Sequence, residues 1–280
     1  MKLEILGSGG GEGYPAAFCG CDHCNAARKA GGKSLRSLSQ SCIDRELMID
    51  LPADTHAHTR ASGINLGEIE NLLITHTHAD HYIPQLFDIR AEGFAHKLKY
   101  KVMNVIGNSD VKAFFDGVFT YFPISPNARD NLNFIEAVPL HKMRVGRYDV
   151  TPLHANHALE QLSLNYIIED GKSSLLYLID SGLPLPETME YLASLKRSFD
   201  CVVMDGTMGN CPLGTYPQHM GFAENVILKE KLLECGSACA DTRFIVTHIT
   251  HNHAGLHEEI EKTLSPHGIL TAYDGMTVEF

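Results

Sequence analysis

A chain of 280 residues, 44% of them apolar, can bury a large core, and layered α/β domains of this length occur undivided, so residues 1–280 are expected to form a single domain. A formal net charge of -11 without a Lys/Arg stripe argues against tracking a nucleic-acid polymer and favours a small substrate. There is no apolar run of about 18 residues to span a bilayer, and 1–6 alternates like a strand rather than a signal peptide, so the expectation is a cytoplasmic protein with reduced cysteines and no membrane partner.

In chain order, strands are predicted at Leu3–Leu6, Glu46–Asp50, Asn71–Thr75, Lys101–Ile106, Tyr148–Leu153, Leu164–Ile168, Leu175–Asp180, Cys201–Asp205 and Arg243–Thr247. Helices are predicted near Val111–Val118, Glu187–Leu195, Phe222–Glu234 and Leu256–Leu264. Asp170-Gly171 between two apolar runs is a tight-turn signal that pairs the flanking strands antiparallel. The result is a layered α/β domain whose early half is strand-rich and whose later half alternates strand and helix, compatible with two sheets packed between helices.

The chemistry concentrates after the strand at 71–75, where His76-Thr77-His78-Ala79-Asp80-His81 offers four metal-ligand side chains in six residues. Residues two apart in extended backbone share a face, so His76 and His78 can hold one ion while the next turn aims Asp80 and His81 at a second. Imidazole and carboxylate suit zinc, manganese or iron.

His-x-His-x-Asp-His after a strand resembles the signature of the metallo-β-lactamase superfamily. That resemblance implies an αβ/βα sandwich of two mixed β-sheets flanked by helices, with further ligands at His157, Asp180 and His248. Asp180 would bridge the ions, His157 would complete the first ligand set and His248 the second. His154 competes with His157 for its role. Asp50 stands where the superfamily has a carboxylate that orients a ligating His, although Leu51-Pro52 alters the usual turn after it.

A second metal pattern is Cys19-Gly20-Cys21-Asp22-His23-Cys24, expected as an N-terminal zinc-binding loop around 19–24. Three thiolates suit a closed structural zinc with one further ligand. His251 could supply it, with His23 and His253 as rivals; Cys42, Cys201, Cys211, Cys235 and Cys239 read as core or surface thiols.

This Cys loop together with His248-x-x-His251 resembles the PhnP-type phosphodiesterases of phosphonate breakdown. The resemblance runs from Gly7-Ser8-Gly9-Gly10 to Tyr273-Asp274-Gly275-Met276 and departs at residues 235–241, between Asp205 and His219, and after Asp50. It implies a cyclic ribose phosphate diester as substrate, two divalent catalytic ions (manganese or zinc), one structural zinc, and His219 as an assisting catalytic residue beside Asp80. Two ions roughly 3.5–4 Å apart would activate a bridging hydroxide for attack on phosphorus. Other reactions on the same scaffold compete: a PqqB-like protein, a thioesterase, an RNase, or a non-catalytic ligand sensor. A homodimer is left open.

Overall fold

The computed structural model describes residues 1–158 and 160–280. Two seven-stranded sheets face each other. The first runs β14 (Met276–Glu279), β1 (Lys2–Gly7), β2 (Gln40–Ile43), β3 (Leu47–Ile49), β4 (Asn71–Leu73), β5 (Met103–Gly107) and β6 (Leu132–Glu136). The second runs β13 (Ile269–Thr271), β12 (Arg243–Thr247), β11 (Cys201–Asp205), β10 (Ser174–Leu178), β9 (Leu164–Glu169), β8 (Tyr148–His154) and β7 (Met143–Val145). Both are mixed: β3 to β6 and β10 to β13 are parallel, the remaining pairs antiparallel.

The strands read as continuous apolar runs because both faces of each sheet are covered. In β10, Leu175 and Tyr177 point into the inter-sheet core with Ile5, Leu73, Val150 and Ile245. Leu176 and Leu178 point the other way, onto Leu192 of α5 (Pro186–Ser194), Leu228 of α6 (Phe222–Glu234) and Ile260 of α7 (His257–Leu264). The outer face of the first sheet is covered by Val111 and Phe115 of α3 (Ser109–Tyr121) and by Phe87. This is the αβ/βα sandwich that the motif resemblance implies. No helix among the described residues is long and apolar enough to cross a membrane.

The nine predicted strands and four predicted helices are present, with ends displaced by a few residues. Unforeseen are β2, β6, β7, β13 and β14, together with α1 (Asp22–Ala30), α2 (Thr55–Ser62) and the one-turn α4 (Pro126–Arg129). The segment expected as a cysteine loop is therefore half helix: Cys21 is the N-cap of α1 and Cys24 lies in its first turn. Short polar strands such as Gln40–Ile43 carry no periodic signal of their own and form because β1 and β3 already flank them.

Glu4 on β1 is buried, and Arg45 donates two hydrogen bonds to its carboxylate at 2.8 and 3.0 Å. Those bonds lower the Glu4 pKa, so the pair's contribution is full above Glu4's ordinary range and is lost as pH falls through the lowered value of the folded state. Removing one partner of a buried pair costs about 3–5 kcal/mol, which half-exposure of Arg45 reduces to about 1–2. Arg45→Ala should lower urea stability by that amount at pH 7 and by much less at about pH 3 or below; equal losses at both pH values would contradict this account.

Candidate metal centre

The functional side chains follow strand ends on one edge of the sandwich. His76, His78, Asp80 and His81 come three to eight residues after β4, His157 after β8, Asp180 after β10 and His248 directly after β12. The motif itself is irregular chain, since β4 stops at Leu73. Even so, the seven predicted ligands come together in two groups.

One group holds His81 Nε2, His248 Nε2 and Asp80 Oδ2, with Asp180 Oδ2 at its border. The two imidazole nitrogens lie 3.1 Å apart, Asp80 is 3.2 Å from His81 and 3.5 Å from His248, and Asp180 is 3.6 Å from His248. A tetrahedron with ligands about 2.1 Å from its centre has edges of about 3.4 Å, so Asp80, His81 and His248 have the mutual spacing of three ligands of a zinc-sized dication. The other group holds His76, His78 and His157. His157 Nε2 is 3.2 Å from His78 Nδ1 and 3.4 Å from the same Asp180 Oδ2. One carboxylate oxygen thus borders both groups. His76 Nε2 is buried without a hydrogen-bond partner, as expected of an atom that awaits an ion.

The imidazoles are oriented from behind. His81 Nδ1–H donates to Asp50 Oδ2 at 2.7 Å, while Asp50 Oδ1 accepts from the Thr75 amide at 2.8 Å. The Thr75 hydroxyl donates to Asp50 and accepts from His76 Nδ1 at 3.0 Å, so one Thr–Asp pair leaves Nε2 free on both rings. His248 Nδ1 is 2.7 Å from the Thr207 hydroxyl. His78 turns its other nitrogen, Nε2, to Glu160 at 3.1 Å.

His219 sits beside the shared carboxylate. Its Nδ1 is 2.7 Å from Asp180 Oδ1 and 3.0 Å from Asp205 Oδ2. Burial disfavours the imidazolium, but Asp205 and Asp180 outweigh it and push its pKa up to about 11. Burial, then the neighbouring Asp180, raises Asp205 to about 6. Burial also opposes ionisation of Asp80, yet His81 and His248 hold its carboxyl well below the usual range. His76 goes the other way: burial and His81 keep it neutral, the form that ligates. Gly182 makes this packing feasible, because a Cβ there would meet the Pro217 carbonyl at 1.8 Å and displace the segment that carries His219.

The second cluster also assembles. Cys19, Cys21, Cys24 and His251 bring their ligand atoms together, with His251 Nδ1 3.5 Å from Cys21 Sγ and 3.8 Å from Cys19 Sγ. The Cys24 amide and then His251 lower the Cys21 thiol to about 6, whereas burial pushes Cys24 up to about 11. The rivals His23 and His253 are exposed and outside the group. His154, the rival of His157, is half exposed and lies 3.6 Å from Glu187. Thr207, Glu160 and the pairing of Asp205 with His219 were not foreseen; a Thr or Glu in a loop carries no ligand spacing, and the Asp205-Gly206 strand end was the one available signal.

A sandwich of this topology with a His/Asp cluster on its strand-end edge defines a metallo-β-lactamase-fold hydrolase. A family model described as "Beta-lactamase superfamily domain" matches residues 45–249, and the chain belongs to that superfamily. An octanoyltransferase of Porphyromonas gingivalis (strain ATCC BAA-308 / W83) is 24% identical over 278 residues, covering 99% of this chain; the chain spans about half (51%) of that curated relative. Among solved structures, a diphosphatase of the PhnP family is similar at TM-score 0.74 and 23% identity, over 100% of this chain and 97% of that one. Zn2+-bound PqqB from Methylobacterium extorquens is similar at 0.76 and 16%, over 100% of both. The short form of human tRNase Z is similar at 0.66 and 15%, over 100% and 99%. At these identities the three structures bear on the fold alone.

Asp50 reaches no ion position and acts only through His81 and Thr75. Asp50→Ala should weaken metal retention about 10- to 100-fold in a chelator competition, with the fold intact by circular dichroism. Unchanged affinity would show that His81 needs no support.

Proposed function

We propose that the chain is a dinuclear metal-dependent hydrolase of small phosphodiesters, a cyclic ribose phosphate diester being the first member to test. The observation that carries this reading is the pair of ligand sets sharing Asp180 Oδ2, with His219 beside it. His76, His78 and His157 would hold one divalent ion, manganese or zinc, and Asp80, His81 and His248 the other, with Asp180 between them. When bound, the two ions would lower the pKa of a water and draw charge from a phosphoryl oxygen.

The protein's own residues supply the rest. His219 lines the cleft and its Nδ1 is taken up by Asp205, which supports a role for Nε2 in handing a proton to a leaving alkoxide. Asp205 fixes the ring by taking Nδ1–H. The cleft, about 400 Å³, is lined by Glu12, Tyr216, Gln218 and Thr250 around the ligands, dimensions that suit a small ester more than a polymer. The Cys19, Cys21, Cys24 and His251 cluster would take one structural zinc, holding the N-terminal segment against the loop after β12.

Similarity to an octanoyltransferase raises a second reading, cleavage of a medium-chain acyl ester or thioester. An apolar cavity of about 360 Å³ lies under Leu66, Phe87 and Phe94, but it shares no lining residue with the cleft, which favours the phosphodiester.

Metal-free protein should be inactive, and manganese or zinc should restore hydrolysis of bis(p-nitrophenyl) phosphate and of a ribose cyclic phosphate. Asp80→Ala should abolish turnover, and His219→Ala should reduce kcat about 100-fold or more for the diester with the poorer leaving group. Turnover of an octanoyl thioester with no turnover of either diester would discard the reading.

A further inference from the structure

We infer that Glu12 and Glu160 act as a charge filter at the mouth of the cleft, admitting diesters whose non-reacting arm is neutral or cationic and turning away arms that carry another negative charge. The inference rests on the phosphodiesterase reading and names the substrate class within it.

The cleft floor is built for one anion. His157 and Asp180, more than nine-tenths buried, converge there with His219, and two dications would concentrate positive charge at the same point. Beyond that point the charge reverses. Among the described residues that line the cleft there is no Lys or Arg, while Glu12 and Glu160 enter from separate segments. Enzymes that bind diphosphates or nucleic-acid backbones need cationic side chains for the additional phosphates. Here a second anion would meet carboxylates.

Each carboxylate is tied to a histidine of one of the two clusters, although Glu160 keeps two-thirds of its side chain exposed. Glu12 Oε1 accepts from Asn252 Nδ2 at 3.0 Å and pairs with His251 Nε2 at 3.3 Å. The same residue lines the cleft. Gly11, just before it, passes so close to Asp80 that a Cβ would lie 3.4 Å from Oδ2, which places this segment directly over the ligand set. Glu160, which also lines the cleft, pairs with His78 Nε2 at 3.1 Å. Tyr216, half exposed and stacked on His219 with ring centroids 5.6 Å apart, adds an aromatic face to the cleft lining. Carboxylate and aromatic surface together favour a cationic arm. At a separation of about 8 Å, Coulomb's law gives between about two- and thirty-fold discrimination per carboxylate, depending on the effective dielectric.

The test uses three p-nitrophenyl phosphodiesters with a common leaving group, their second arms being choline, methyl and carboxyethyl. The metal-loaded wild type should show a kcat/KM ratio of choline to carboxyethyl ester on the order of tenfold or more at about 0.01 M salt, shrinking severalfold at about 1 M. In E12Q/E160Q, which keeps both acceptor oxygens, the ratio should fall towards one. A wild-type ratio near one, or a ratio unchanged in the double variant, overturns the filter while leaving the phosphodiesterase intact. Should the double variant lose turnover of all three esters, the single E12Q variant and the salt dependence of the wild type decide on the same ratio. Failure of the metal-loaded wild type to cleave any of the three removes the parent reading, and the filter with it.

Discussion

The carboxylate of Asp50 is the constraint on which the metal centre depends. It is fully buried, accepts from His81 Nδ1 and from both the amide and the hydroxyl of Thr75, and through Thr75 it also fixes His76. The residue sits at φ +66°, a left-handed conformation that a residue with a side chain adopts at a cost of about 1 kcal/mol or more. Its backbone is held there from behind, because Gln40 Nε2 donates to the Asp50 carbonyl at 2.9 Å and Gln40 Oε1 accepts from His58 at 2.7 Å. Three charge-assisted bonds offset that cost and deliver two imidazoles in the ligating tautomer before any ion arrives.

Asp180 solves a different problem. Each ligand group draws on both sheets: four of the seven side chains follow β4 of the first sheet and three follow strands of the second, with members of both in each group. A carboxylate oxygen common to both groups couples the sheets electrostatically at the one edge where their loops meet. His219 and Asp205 then surround its other oxygen. Asp205 is held by the Ser181 and Thr207 amides, so the positions of the β10, β11 and β12 loops are mutually set.

How much of this could be read from the chain follows from how local each signal is. Four ligand residues in six positions are legible because the two centres are adjacent, and their density has no structural substitute. His157 and Asp180 are single residues at strand ends, recognisable only through order and resemblance, and His154 three positions before His157 has the same local credentials; what separates them is that β8 runs on to His154, which leaves that ring half exposed. Thr207 and Glu160 act through orientation and so have no spacing rule. In the fold, long strands with both faces covered announced themselves by apolar runs. β2, β6 and β7 did not, since three to five residues paired between stronger neighbours or lying on an edge need little propensity of their own.

The cysteine cluster reaches the catalytic edge by a short path. His251 stands three residues after His248, and the loop between them is bonded to the N-terminal glycine segment in both directions, Ile249 N to Ser8 O at 3.0 Å and Gly10 N to Ile249 O at 3.2 Å. His248 itself is at φ +58°, so the chain turns sharply as it leaves β12 and its neighbours must hold that turn. A Cβ on Gly10 would lie 3.1 Å from the His248 ring, a clearance that shows how closely the two segments are packed. An ion bound by Cys19, Cys21, Cys24 and His251 would therefore restrain the same loop that presents His248 and, through the pairing of His251 with Glu12, the carboxylate at the rim. The two clusters differ in ligand chemistry, thiolate against imidazole and carboxylate, but they share one piece of backbone.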